Sequence, residues 1–232
     1  MIEEKKLSIC VLTWDQLHLT KKFLASIRKN TPACYELIIV DNGSSDGTQE
    51  FIKKEADKYH FFEQNTGYAH GFNKALELAD HEYVAICNND TEFPANWFPK
   101  LLATLNSRAK CGLVFPSYTK GMKVAERWWP GWRTKKLKPF GDCPSGVVIF
   151  SKLAILRDEL GGFCEDYDTA GGEDLDLCFT AWKAGYDIYV DERVLIKHKS
   201  KGTAGLHLPD YKKLYTANGK IFEAKWRDYL KR

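Results

Sequence analysis

Glu36-Leu37-Ile38-Ile39-Val40-Asp41-Asn42-Gly43-Ser44-Ser45-Asp46-Gly47-Thr48 passes from an apolar run into a turn and then into a helix start. Glu36 to Val40 has the length and β-branched content of a buried strand. Asn42-Gly43 supplies the turn, because short polar side chains bond their own backbone and glycine takes positive φ without steric cost. Asp46 or Thr48 then caps a helix predicted over Thr48 to Lys58, a side-chain oxygen there accepting one of the free N–H groups of the first turn. A strand that feeds straight into a helix is the unit from which α/β sheets are wound. Turn and cap explain Gly43 through Thr48 but leave Asp41 over. That carboxyl follows the strand directly, where the edge of an α/β sheet faces ligand, and can accept hydrogen bonds from a base or a ribose. The glycine spacing matches neither a Walker loop nor a G-x-G-x-x-G fingerprint.

The same rhythm continues on both sides. Leu7 to Leu12 reads as a strand and Leu17 to Lys29 as a helix; downstream come a short strand near His60 to Glu63, a helix over Gly71 to Leu78, the strand Tyr83 to Cys87 and a helix over Asn96 to Leu105. Such alternation predicts right-handed β-α-β units and a mainly parallel, Rossmann-like central sheet flanked by helices. Thr13, Asp41 and Asp90 each follow a predicted strand, so they are expected along one edge. After the run Cys111 to Phe115 the rhythm breaks into a long segment, Pro116 to Asp142, of a length that is usually functional or partly disordered. Regularity returns at Val147 to Phe150 and in a helix over Glu173 to Ala184. There Leu175, Cys178, Phe179 and Trp182 fall at the spacing of a buried stripe. Two short strands, Ile188 to Val190 and Val194 to Ile196, and a docked terminal helix from about Leu208 to Tyr229 close the pattern.

Composition sets the class. With 232 residues, 44% hydrophobic and 28% charged, the chain reads as an ordinary globular protein, large enough to bury a sizeable core as a single domain. Lys and Arg total 34 against 31 Asp and Glu, and a net charge of +3 is too small to argue for a nucleic-acid partner. Seven cysteines without a C-x-x-C pair fit reduced thiols. No apolar signal region opens the sequence, and no stretch is uniformly apolar over the roughly 20 residues of a membrane span. These features predict a cytoplasmic location, with contact at the inner face of a membrane left open.

The run Cys87-Asn88-Asn89-Asp90 ends an apolar strand in amides and a carboxyl. Such a strand end can hold a divalent cation against phosphate oxygens, since hard cations want oxygen ligands. It is equally good turn chemistry. Glu173, Asp174 and Asp176 sit at a helix start, where the dipole favours acids whatever else they do. Arg127-Trp128-Trp129-Pro130-Gly131-Trp132-Arg133 sets tryptophans among basic residues, a mixture that suits sugar rings, a membrane interface or simply a loop folded onto the protein.

Five motifs, in order, carry a resemblance: Ile9-Cys10-Val11-Leu12-Thr13-Trp14-Asp15, Ile38 through Thr48, Asn65-Thr66-Gly67-Tyr68-Ala69-His70-Gly71-Phe72-Asn73, Asn88-Asn89-Asp90 and Gly172-Glu173-Asp174. From Leu7 to His198 the chain resembles family-2 glycosyltransferases of the GT-A fold. The resemblance implies an inverting enzyme that takes a sugar from a nucleotide-diphosphate donor. Thr13, Trp14, Asp15, Asp41, Asn65, Gly67, Asn73, Asn88 and Asn89 would bind the donor, and Asp90 and His198 a divalent metal, Mn2+ or Mg2+. Asn88 stands where the family's metal element has its first acid. Asp174 would be the general base, with Trp128, Trp129 and Glu173 toward a glycan, lipid-linked or glycoprotein acceptor, in surface polysaccharide or lipopolysaccharide assembly. On this reading residues 1–115 form the donor half, 116–205 the acceptor and catalytic half, and 206–232 a C-terminal helix. Two other classes remain. A nucleotidyltransferase should carry a Gly-rich basic loop where Thr13-Trp14-Asp15-Gln16 stands, and a non-catalytic nucleotide-sugar-binding protein would need neither Asp90 nor Asp174.

Overall fold

β1 (Leu7–Thr13) is apolar on both faces and sits at the middle of a parallel set. Leu7, Ile9, Cys10 and Val11 are fully buried, as expected of a strand covered on both sides by helices. The computed structural model describes residues 6–31, 34–119, 131–139, 144–169, 171–199 and 211–231. β1 pairs with β2 (Tyr35–Asp41) on one side and β4 (Tyr83–Asn88) on the other, and β3 (Lys58–Phe61) lies outside β2. The registers Thr13↔Asp41 and Leu12↔Asn88 align three strand ends at one edge.

Helices α1 (Leu17–Asn30), α2 (Thr48–Glu55) and α3 (Tyr68–Leu78) connect these strands. α1 turns Phe23, Leu24 and Ile27 to the core, and α3 turns Phe72, Ala75 and Leu76. Asp46 serves two helices rather than one. Its Oδ2 accepts the Leu17 N–H at 2.8 Å and its Oδ1 the Thr48 N–H at 3.2 Å. Burial opposes ionisation of Asp46, but these donors and the Thr48 hydroxyl outweigh it and hold the carboxyl below its ordinary range.

Beyond β4 the sheet becomes mixed. Its order is β3-β2-β1-β4-β8-β6-β9-β5, with β8 (Val148–Lys152) antiparallel to both β4 and β6 (Cys111–Thr119). The sheet expected to be mainly parallel is therefore parallel from β3 through β4 and turns antiparallel at β8. β9 (Asp187–His198) runs parallel to β6, while β5 (Thr91–Glu92) and β7 (Thr134–Lys136) flank it antiparallel. α4 (Trp97–Asn106) joins β5 to β6. The two strands read at Ile188 to Val190 and Val194 to Ile196 are one strand with an irregularity, because Pro116 pairs with Asp191 and Ser117 next with Leu195. Proline cannot donate to the ladder, which favours a break there. Inside the irregularity Arg193 closes on buried Asp191 through Nε–H to Oδ1 at 2.8 Å.

α5 (Glu173–Lys183) and α6 (Tyr211–Trp226) form a second, smaller core. Tyr167, Phe179, Phe222 and Trp226 pack together there. The predicted stripe on α5 is split: Cys178 faces the main core, Phe179 the smaller one, Leu175 lies half-buried beside the latter, and Trp182 packs against both.

Candidate active site at the strand edge

Asp41 is buried and its carboxylate is saturated by its own chain. Oδ1 accepts Ser44 N–H at 2.8 Å and Gln49 Nε2–H at 2.9 Å; Oδ2 accepts the Thr13 hydroxyl at 2.9 Å and the Ser44 hydroxyl. Those donors offset the cost of burying it. Asp41 and Thr13 thus fix the loop after β2 from within, and the groups left half-exposed beside them are Trp14, Asp15 and Gly43. Asp15, itself at φ 51, accepts the Ser45 N–H at 2.7 Å, so the loops after β1 and β2 are sewn together.

Asn42 joins the next loop. Its Nδ2 donates to Asn65 Oδ1 at 3.0 Å and to the Gly67 carbonyl at 3.1 Å, and the Thr66 hydroxyl donates to its Oδ1. Gly67 needs to be glycine on two counts. Its φ is 90, and a Cβ would lie 3.0 Å from Thr169 Cα. Asn73 lies in the second turn of α3 and is a strut: it donates to the Phe163 carbonyl and Glu165, and accepts the Phe163 N–H. Its amide is thus committed to the 163–165 segment rather than turned to a donor.

Asn88, the last residue of β4, and Asn89 and Asp90 in the turn after it do not act as a block. Asn88 stays half-exposed at the edge. Asn89 is buried and donates to the Thr20 hydroxyl at 3.0 Å, so the structure moves it from the expected donor site to an α1 anchor. Asp90 returns to the edge, where the β5–β9 pairing sets Thr91 opposite His198. Asp90 Oδ2 and His198 Nε2 are 3.3 Å apart, with side chains only 8% and 9% exposed. Asp90 Oδ1 and His198 Nδ1 are both buried without a hydrogen-bond partner. Orphaned buried polar atoms are costly, and a carboxylate beside an imidazole is a donor set that suits a divalent cation of the manganese type. Among the described residues no third His, Cys, Asp or Glu joins them, and a hard cation also takes ligands from substrate phosphates and water.

Asp174 is the second residue of α5, where Gly146 N–H donates to Oδ2 at 2.8 Å and Leu175 N–H to Oδ1 at 2.8 Å. Burial raises its proton affinity, and those backbone donors temper the rise. Gly146 leads into β8, whose partner Asn88 donates its N–H to the Val147 carbonyl at 2.9 Å; the base candidate and the end of β4 therefore share one edge. Tyr68 closes the arrangement, its hydroxyl donating to the Gly146 carbonyl at 2.6 Å. A Cβ on Gly146 would stand 2.8 Å from both Asp174 Cβ and the Tyr68 hydroxyl oxygen. Tyr118 bonds Val148 and lies ring to ring with His198 at 6.4 Å. Glu173 is buried, its Oε2 accepting the Gly171 N–H at 2.6 Å while Oε1 has no partner. Burial, with Asp174 adding to it, pushes Glu173 up to about 7.

Gly146, Tyr68 and Tyr118 escape a reading of the sequence as site residues, although Tyr68 stands inside the Asn65 to Asn73 motif. Asp176 escapes it too. Rather than serving the helix dipole alone, it accepts from Tyr167 Oη, Trp226 Nε1 and Lys225 Nζ and so anchors α6. Trp128 and Trp129 lie outside the described residues; Trp132 is 95% exposed. No helix among the described residues is long and apolar enough to cross a membrane.

A family model for Glycosyl transferase family 2 matches residues 8–160, about two thirds of the chain. The chain is 31% identical over 176 residues to an uncharacterized glycosyltransferase, MG060 homolog, of Mycoplasma pneumoniae, which covers 67% of this chain and 58% of that protein. It is 25% identical over 239 residues to an N-acetylglucosaminyl-diphospho-decaprenol L-rhamnosyltransferase of Mycobacterium tuberculosis, covering 85% of this chain and 77% of the other. Among solved structures, a mannosyltransferase from Pyrobaculum calidifontis in complex with GDP-Man and Mn2+ superposes with a TM-score of 0.64 at 21% identity, over 88% of this chain and 60% of that one.

Proposed function

Because the chain belongs to glycosyl transferase family 2 and has the GT-A fold, we propose that it moves a sugar from a nucleotide-diphosphate-sugar donor to a hydroxyl acceptor with inversion at the anomeric carbon. The observation that carries this reading is the meeting, at one sheet edge, of the Asp90–His198 pair with its unspent polar atoms and of Asp174 held by Gly146. Asp174 takes the acceptor proton as the acceptor oxygen bonds the anomeric carbon, and the bond from that carbon to the diphosphate breaks with its electron pair leaving on the phosphate. Positioned proton transfer of this kind contributes typically 10²–10⁴-fold. Burial that raises the proton affinity of Asp174 makes it a better base at neutral pH than an open carboxylate. A divalent cation held by Asp90 and His198 would neutralise charge on the diphosphate; imidazole favours manganese over magnesium.

The loops after β1 and β2, with Trp14 and Asp15, frame the base and ribose, and Asn65 to Tyr68 the phosphates. The Mycobacterium relative's name includes a lipid diphosphate acceptor, which supports a lipid-linked saccharide here and, with it, work at a membrane surface. The exposed Trp132, next to Arg133, suits such a surface. The test is a screen of nucleotide-sugar donors by nucleotide release with Mn2+, Mg2+ or EDTA. Expected are activity with one donor, its loss in EDTA, and an Asp90→Asn variant that needs at least about tenfold more metal. A rate untouched by EDTA would remove the metal role of Asp90 and His198.

A further inference from the structure

Asn218 stands in the body of α6, 1% exposed. Asparagine is an indifferent helix former because its amide competes for backbone groups, and a buried one must satisfy both a carbonyl and an NH2. Here the amide reaches across to another segment. Its Oδ1 accepts the Asp168 N–H at 3.1 Å and its Nδ2 donates to the Asp168 carbonyl at 2.8 Å. It holds both backbone groups of one residue, as a neighbouring strand would.

The residue so held precedes a strained one. Thr169 has φ 45, a conformation that a β-branched side chain rarely adopts and that persists only where its surroundings impose it. Its carbonyl accepts the Tyr68 N–H at 3.0 Å, and its Cα abuts Gly67. Tyr68 then donates to the Gly146 carbonyl, and Gly146 N–H to Asp174 Oδ2. A hydrogen-bonded path therefore runs from the C-terminal helix through the 168–169 backbone to the donor loop and the base. Asn218 is not needed merely to dock α6, which Trp226 and Lys225 on Asp176 and the packing of Phe222 already do.

We infer that Asn218 is a positioning residue: it fixes the loop over Asp168 and Thr169, and through Tyr68 and Gly146 it sets where Asp174 stands. This rests on the reading of Asp174 as the base. A contiguous path is not by itself coupling, so the test measures coupling at its far end. Asn218→Ala in the full chain is assayed for kcat and, by hydrogen exchange, for amide protection. Expected are a fall in kcat of about tenfold or more, since small misplacements of a catalytic group are costly, and faster exchange in peptides covering Tyr68 as well as Asp168. Asn218→Ser, which keeps a short polar side chain, should lose less of both. Ile27→Val, in α1 and far along the chain from this path, serves as a core-destabilised control and should keep kcat. If Tyr68 exchanges as in the wild type, or kcat stays within about twofold, the inference is overturned. A kcat loss in Ile27→Val as large as in Asn218→Ala would also overturn it, by reducing the effect to general stability. If the wild type transfers no sugar from any donor, the functional reading fails, while exchange at Tyr68 still decides the coupling.

Discussion

Gly146→Ala perturbs the proposed centre by a single methyl group. The φ of Gly146 lies outside the left-handed region, so alanine fits the backbone and the defect is steric alone. The new Cβ would meet Asp174 Cβ and the Tyr68 hydroxyl oxygen, each at 2.8 Å, whereas carbon contacts relax to roughly 3.5–4.0 Å. Both sides must give, yet Tyr68 is tied to the Gly146 carbonyl and Asp174 to the Gly146 N–H. Overpacking of this kind costs about 1–3 kcal/mol. At about 2–4 °C per kcal/mol for a chain of this size, Tm should fall by roughly 2–12 °C. A shift of the base by several tenths of an ångström should lower kcat by about 10- to 100-fold, with donor KM changed far less. The assay is nucleotide release at saturating donor and acceptor, with Tm followed by circular dichroism. A variant with wild-type kcat and Tm would show that Gly146 does not seat Asp174.

Glu173 should make stability pH-dependent. Its folded affinity for a proton, near pH 7, exceeds the ordinary 4.5, so the folded state binds more protons between those values and stability falls as pH rises through that window. The gap corresponds to roughly 3 kcal/mol, complete above pH 7; Glu173→Gln should flatten thermal melts measured from pH 5 to 8, and equal slopes in the two proteins would disprove it. Asp176→Ala removes the acceptor shared by Tyr167, Trp226 and Lys225 and leaves two buried donors unpaired, at a cost of about 2–5 kcal/mol. Limited trypsin digestion should then cut within Lys220 to Arg227 long before the wild type is cut there; an unchanged pattern would show that α6 is held by packing alone.

The parallel half of the sheet was legible because its central strands β1, β2 and β4 are apolar runs that end in turn chemistry, as Val40 does at Asp41. The second half was harder. Nothing in Val147 to Phe150 says that this strand inserts between β4 and β6, and that insertion brings Gly146 to Asp174. His198 meets Asp90 beside a two-residue strand, Thr91–Glu92, too short to announce itself by periodicity. Asp41 shows the reverse limit. Its place at the edge was legible, but the donors that turn it inward, Gln49 and Ser44, become visible only with the fold.

Asp174→Asn tests the central assignment most directly. Asparagine keeps the volume and an oxygen to accept the Gly146 N–H, but it cannot take a proton from the acceptor. With donor and acceptor saturating, kcat should fall by about 10²–10⁴-fold while donor affinity stays within about twofold. Transfer to a real acceptor at close to the wild-type rate would show that the proton goes elsewhere.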